Sequence, residues 1–381
     1  MFYFDYAATT KMSERARETF MEAAESFYGN SESLHDIGTD ARAVLEKSRG
    51  LISGYLGVPA EGLYFTSGGT EGNLLAIVSL AMGASGRGKH IISSMAEHAS
   101  VHSALGFLER LGFEVTRLPF TEKGTVDVKK LEAAIRPDTV LVSVQHINQE
   151  IGTIQPIEEI SLMVRRRGIL FHSDCVQSFG KADVARMIPY VDSITLSSHK
   201  IHGPKGVGAV YIHPSCVIAP VFPHLSHEKG FRGGTVNVPG IAGFAAAAEE
   251  ILIESERDWE YRTALKEASG GTVVFIEGER AIQLPSIVGG MIPGVQGQLV
   301  LLECNKAGFA ISTGSACQEH HEGGSKAVEA MGYAEEAMDQ FFRISFGRHT
   351  TKEEILSLGE TLKKIAAAHS AGTAMQDLFA R

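Results

Sequence analysis

Between residues 62 and 200, short apolar, β-branched runs alternate with segments of helical period, and nothing else in the chain limits the fold as much. Strands are expected at 62–66, 90–93, 113–118, 140–144, 169–172 and 191–196. Helices are expected at 74–82, from just after His98 to 111, at 127–135 and at 157–167. The strand runs are apolar at nearly every position, as in strands buried on both faces. Alternating units of this kind build an α/β architecture, a mostly parallel sheet with helices on either side. In such a sheet the carboxyl ends of the strands share one edge, and ligands bind there. Two amphipathic helices, 13–28 and 38–56, precede the alternation, and Gly57 and Pro59 end the second.

The polar residues that interrupt the pattern fall at that edge: Gly69 and Thr70, His98, Asn148, Asp174 with Gln177, and Ser197, His199 and Lys200. A lysine ending a buried strand is costly as a bare ammonium but serviceable as a nucleophile or an imine. Ser67-Gly68-Gly69-Thr70 joins a strand to a helix, so its backbone N–H groups suit an anion, although a plain tight connection is an equal reading. The loop fits neither the triphosphate nor the dinucleotide glycine pattern. Asp174 needs a cationic or protonated partner, unless it simply caps the next helix. His98 can stack on a flat ring or be a packed capping residue. Arg343 lies in an apolar, alternating run, where it either clamps an anion or makes a structural ion pair.

After Pro214 the alternation stops. A polar, glycine-rich stretch fills 222–237, a helix is expected over 240–261, and shorter elements follow from about 265. Here Cys317 sits in the loop Ser312-Thr313-Gly314-Ser315-Ala316-Cys317-Gln318-Glu319-His320-His321, among residues too small and polar for a core. A thiol so placed is a candidate nucleophile. Cys175, Cys216 and Cys304 sit beside apolar sequence and read as core. Four cysteines without a C-x-x-C pair argue against zinc and a disulfide framework, and His320 and His321 match no usual ligand spacing, so no metal is expected. With a net charge of −10 over 381 residues, nucleic acid and anionic membranes are disfavoured as partners. No signal peptide or apolar membrane span is apparent, which makes a reducing cytoplasm the expected compartment.

Several of these segments, taken together, resemble the NifS-type cysteine desulfurases, within class V of the pyridoxal-phosphate (PLP) aminotransferases. They are Asp5-Tyr6-Ala7-Ala8-Thr9-Thr10, Phe65-Thr66-Ser67-Gly68-Gly69-Thr70-Glu71, Glu97-His98 and His146-Ile147-Asn148-Gln149-Glu150. The others are His172-Ser173-Asp174-Cys175-Val176-Gln177, Ser197-Ser198-His199-Lys200, Gly314-Ser315-Ala316-Cys317 and Arg343. They occur in family order across almost the whole chain.

The resemblance implies a PLP-dependent transferase of fold type I, with a large PLP-binding domain over 13–258. A smaller α+β domain, from 1–12 and 259–381, would carry the Cys317 loop and Arg343. It implies that Lys200 forms the imine with PLP, that His98 stacks on the ring and that Asp174 pairs with the ring nitrogen. Asn148 and Gln177 would flank the ring substituents, with Asn148 also near the substrate. Gly69, Thr70, Ser197 and His199 would hold the phosphate, and Thr235 would reach the phosphate of a second subunit in a homodimer. Arg343 would clamp the carboxylate of L-cysteine. Cys317 would take its sulfur as a persulfide, leaving L-alanine, and pass it to an acceptor protein of iron–sulfur or other sulfur-cofactor assembly. A selenocysteine lyase or another class V lyase or aminotransferase is the alternative, and a silent scaffold is disfavoured because Lys200, Asp174, His98 and Arg343 are all present. The chain departs from the family at Gly72, at Gln149, at His224-Leu225-Ser226-His227-Glu228 and after Cys317. The stretch from Ser226 to Arg232 is closer to the branch associated with the iron–sulfur cluster of NAD biosynthesis.

Overall fold

In the computed structural model, which describes residues 1–251, 253, 255–314 and 324–369, the alternation becomes a seven-stranded sheet. The chain opens with a two-residue strand, β1 (Phe2–Tyr3), and the helices α1 (Glu14–Ser26) and α2 (Asp36–Leu56). Ser13 caps α1 by accepting from the Ala16 N–H, and Gly57 ends α2 at φ 69°, a left-handed turn that glycine adopts without steric cost. Then follow β2 (Leu63–Thr66), α3 (Gly69–Gly83), β3 (His90–Ser94), α4 (Ala99–Arg110) and β4 (Glu114–Leu118). The series continues through α5 (Val128–Ala134), β5 (Thr139–Ser143), α6 (Ile157–Arg165), β6 (Leu170–Asp174), β7 (Ser193–Ser197) and β8 (Gly208–Ile212).

The strand order is β2-β8-β7-β6-β5-β3-β4. Strands β4, β3, β5, β6 and β7 are parallel; β8 runs antiparallel to both β7 and β2. Two reversals restore the direction of β2, so Thr66 ends at the same edge as Ser197, and the pairing sets both opposite Gly208. The sequence pattern gave no strand at 208–212. Without that strand β2 would have no place in the sheet. Consecutive residues of one strand enter different cores: Ile91 and Leu141 pack with α3 and α4, whereas Ile92 and Val142 face α2 and α6. Helix α3, buried along most of its length, covers the first face.

The expected helix at 240–261 is two helices, α7 (Val238–Glu249) and α8 (Ser255–Ala268). The first is apolar and buried through nearly every residue, ending at Glu249 and Glu250; the second is rich in charge. One apolar stripe could not serve both environments. Beyond them lie β9 (Val274–Ile276), β10 (Ile287–Met291), α9 (Gly297–Lys306), β11 (Phe309–Ala310) and β12 (Ser312–Thr313). The last elements are α10 (Lys326–Ala330), α11 (Glu335–Asp339), β13 (Phe341–Ser345) and α12 (Lys352–His369). Strands β12-β13-β10-β9 form an antiparallel sheet, and β1 pairs with β11. The core there joins Phe4 to Leu265, Val288, Phe342, Ile344 and Leu358, so the N-terminus packs with the last third of the chain.

Two buried carboxyls tie the frame together. Glu228 stands at φ 46° in the unusual 224–229 segment, strained for a non-glycine residue. Its two oxygens meet Arg49 at 2.8 and 2.9 Å, and one of them also accepts from the Phe65 N–H at 2.7 Å. The segment that departs from the family thus pins α2 to the strand leading into the glycine loop. Breaking a buried pair leaves an unpaired charge, so Glu228→Gln should cost about 3 kcal/mol in urea unfolding, at the low end because Glu46 still touches Arg49. A loss under about 1 kcal/mol would show that the pair is not a tie.

Glu97 joins the ends of β3 and β5, accepting from Ser94 Oγ at 2.6 Å and from the Gln145 N–H at 3.0 Å. Burial pushes its carboxyl up to about 8, against the pull of those bonds. A carboxyl raised in the fold contributes stability that is full below its ordinary value and is lost as pH rises through about 8. Glu97→Gln should therefore flatten the fall in unfolding free energy between roughly pH 5 and pH 8, and parallel profiles would contradict this.

Candidate active site

Lys200 ends a single 3₁₀ turn, Ser198–Lys200, that follows β7 directly. Its Nζ donates to the carbonyls of Ala7 and Ala8 at 2.6 and 2.8 Å. The same N-terminal segment makes other bonds to the site. Thr9 Oγ1 meets His199 Nδ1 at 3.0 Å, Thr10 bonds the His199 carbonyl through both its N–H and its hydroxyl, and the Ala7 carbonyl accepts from Gln177 Nε2 at 2.8 Å. The motif at 5–10 entered the sequence reading only as part of a resemblance. In the fold it is the wall against which the site is built.

Asp174 ends β6, one strand away from Lys200. Its Oδ1 accepts from the Val176 N–H at 2.9 Å and its Oδ2 from Asn73 Nδ2 at 2.7 Å. His98 caps α4, and its Nδ1 takes the Ser100 N–H at 3.2 Å and lies 2.8 Å from Ser100 Oγ. Burial lowers the imidazole's proton affinity, Lys200 and Lys326 lower it further, and Asp174 opposes them. The ring is therefore held neutral, as a stacking surface would be. Asn73, Ser100 and His172, none of them singled out in the sequence, connect these groups. The signal was faint: each is a polar residue inside an apolar element.

The glycine loop closes against β7. A Cβ on Gly69 would lie 2.8 Å from Val176 Cγ2 and 3.7 Å from Ser197 Cβ; a Cβ on Gly208 would lie 2.8 Å from Gly68 Cα. A Cβ on Gly72 would lie 2.7 Å from Thr195 Cγ2, so a side chain there would have to displace Thr195. The first-turn N–H groups of α3 have no carbonyl below them. Thr70 is exposed there, and Ser197 Oγ is buried without a hydrogen-bond partner. His199 is pushed down to about 4, first by burial and then by Lys200 and other cations. Donors, a helix start and an orphaned hydroxyl suit a phosphate group. Thr235 is exposed, three residues after Arg232, whose Nε meets Glu71 in the first turn of α3 at 2.9 Å; among the described residues no site side chain bonds to Thr235.

The remaining expected residues are more occupied than the sequence suggests. Asn148 spends its Oδ1 on the N–H groups of Glu150 and Ile151, at 2.9 and 3.0 Å, and its Nδ2 reaches the Ala96 carbonyl at 3.3 Å. It shapes its own loop, and an amide hydrogen is what it can still offer a ligand. Gln177 Oε1 accepts from Lys181 Nζ at 2.7 Å. Burial, with Lys200 and Arg343 nearby, lowers that second lysine to about 7. Arg343 makes the structural ion pair, Nη2 to Asp5 at 2.8 Å, and also bonds the Gln149 carbonyl at 2.9 Å, while its Nε is buried with no partner.

Cys317 lies outside the described residues, but both approaches to it are fixed. On one side Ser312 pairs with Arg343 itself in the sheet. On the other, Ser325 Oγ and the Ala327 N–H bond to Glu150 Oε2, two residues from Asn148. A Cβ on Gly314 would lie 3.4 Å from Ser325, so the segment leaves and returns at one place. Among the described residues no group of three potential ligands gathers for a metal ion, and no helix is long and apolar enough to cross a membrane.

The model of the aminotransferase class-V family matches residues 2–358. The chain is 45% identical to the NifS protein of Bacillus subtilis strain 168, over 95% of this chain and 93% of the relative. It is 37% identical to the cysteine desulfurase IscS of Dictyoglomus turgidum, over 95% and 94%. Among solved structures, a NifS-like protein superposes with a TM-score of 0.88 at 31% identity, covering 96% of this chain and 99% of the other. SspA in complex with cysteine gives 0.80 at 31% identity, covering 92% and 100%. Enzymes of this kind use PLP, and the orphaned Ser197 hydroxyl, the glycine cradle and the Asp174 carboxylate at the strand end all fit that group. The chain is a member of the aminotransferase class-V family, related over 95% of its length to the NifS-type cysteine desulfurases.

Proposed function

We propose that this enzyme converts L-cysteine to L-alanine and collects the sulfur on Cys317 as a persulfide. PLP, when bound, supplies an aldehyde that captures an amine and a ring that withdraws electrons from the attached carbon. Gly69, Thr70, Ser197 and His199 would hold its phosphate, Asp174 would pair with its ring nitrogen and His98 would lie against its ring. Lys200 would hold the group and would move a proton at the substrate Cα. Gln177 and Asn148 would orient the ring substituents from their amide N–H groups, and Arg343, whose Nε has no partner beside the Asp5 ion pair, would bind the substrate carboxylate.

Cys317 as thiolate attacks the substrate sulfur. A sulfur–sulfur bond forms, the carbon–sulfur bond breaks, and carbon takes up the proton, so cysteine and one thiol become alanine and one persulfide. The observation that carries the reading is the pair of anchors around the Cys317 segment, one beside Arg343 and one on Glu150 next to the Asn148 loop. They bring the two ends of the segment that contains Cys317 beside Arg343 and the Asn148 loop, which supports the reading. The persulfide then serves an acceptor protein of iron–sulfur assembly, with the Ser226–Arg232 stretch favouring the branch tied to NAD biosynthesis. We also propose a homodimer, with Thr235, exposed and bonded to no site side chain among the described residues, reaching the phosphate of a second subunit. A reducing cytoplasm would keep Cys317 a thiol.

Two variants test the assignment together. Lys200→Ala should remove the absorbance band of the bound cofactor at roughly 400–420 nm. Cys317→Ala should keep that band and lose alanine production at least about a hundredfold. Undiminished alanine release in Cys317→Ala would favour a lyase that needs no thiol acceptor.

A further inference from the structure

Asn73 occupies the point where the two ring-facing groups of the site meet. It lies on α3, one turn beyond Thr70, and is 1% exposed. One Nδ2 hydrogen goes to Asp174 Oδ2 at 2.7 Å, at the end of β6; the other goes to Ser100 Oγ at 2.9 Å, at the start of α4. The direction of these bonds is set from behind. Burial pushes His172 down to about 3, so its ring is neutral, and its Nε2 lies 3.3 Å from Asn73 Oδ1 while Nδ1 lies 3.2 Å from Ser193 Oγ. With Nε2 as donor, Asn73 must turn its oxygen to His172 and both N–H groups toward the site. Ser100 Oγ then accepts from Asn73, which leaves its own hydrogen for His98 Nδ1 at 2.8 Å.

We propose that Asn73 is a positioning residue that holds the Asp174 carboxylate and, through Ser100, the His98 ring as one unit aimed at a protonated aromatic nitrogen and its ring face. This rests on the PLP reading above. An amide is suited to the task because a single side chain offers two donors at a fixed angle, and a buried bond to a carboxylate is stronger than one between neutral groups. A residue that only filled space between α3 and β6 would show no preference for donors, and its effect would not depend on Asp174.

The test is titration of the full-length, cofactor-stripped protein with PLP, reading the dissociation constant. Asn73→Ala should weaken binding about tenfold or more, as loss of a bond to a charged group does. Asn73→Asp keeps the shape but sets a second carboxylate against Asp174, and should weaken binding further than Asn73→Ala. In an Asp174→Ala background either change should shift the constant several-fold less than in the native background, because only the arm through Ser100 to His98 is left to act on. Should Asn73→Ala fail to fold, the near-isosteric Asn73→Asp carries the same comparison in both backgrounds. Equal losses with and without Asp174, or Asn73→Asp binding as tightly as native, would overturn the proposal. Native protein that bound no PLP would overturn the cofactor reading, and this inference with it.

Discussion

Two backbone carbonyls hold the Lys200 ammonium, and they belong to a segment 193 residues earlier in the chain. Much of the site's geometry depends on that contact. The segment is anchored outside the site: Phe4 is fully buried in the second core, its N–H bonds Ala310, and its carbonyl accepts from Ser345 on β13. From there it runs across the strand ends of the large sheet and meets Arg343 through Asp5, Lys200 and Gln177 through Ala7, and His199 through Thr9 and Thr10. Carbonyls fixed in this way hold the partly buried lysine Nζ in one place. They also tie the position of the lysine to that of the arginine, which lies on the other sheet.

The α/β class and the edge that carries the site were legible because each rests on local pattern. Continuous apolar runs mark doubly buried strands, and the odd polar residue at the end of each run marks the edge. Strand β8 was not legible: Gly208, Ala209, Val210, Tyr211 and Ile212 follow a glycine- and proline-rich turn with no helix between, so the βαβ rhythm gives no cue. The broken helix at 238–268 was missed for a related reason. Helical period persists through Glu249 and Glu250, and only the change from an enclosed to a charged environment shows where one helix stops.

Within the site, residue types were readable but their bonding was not. Arg343 was open between clamp and ion pair, and the fold gives the ion pair while leaving Nε unspent. Asn148 and Gln177 look like ligand contacts in sequence, yet most of their capacity goes to their own loop, to Ala7 and to Lys181. Asn73, Ser100 and His172 were not separable from capping or core polar residues, because their roles exist only once α3, α4 and β6 are brought together. The segment at 224–229 shows the same limit: a departure from its relatives in sequence, it is a buried ion pair in the fold. Sequence carries the chemistry of a residue; the hydrogen bonds it has left to give are set by the packing.

The proposed sulfur transfer turns on Cys317. The most direct measurement is mass spectrometry of the Cys317-containing peptide after brief exposure of the enzyme to L-cysteine, without reductant and with free thiols trapped. The account predicts one added sulfur atom on Cys317, absent when Lys200 is replaced by alanine. Alanine formed at full rate with Cys317 unmodified throughout would contradict it.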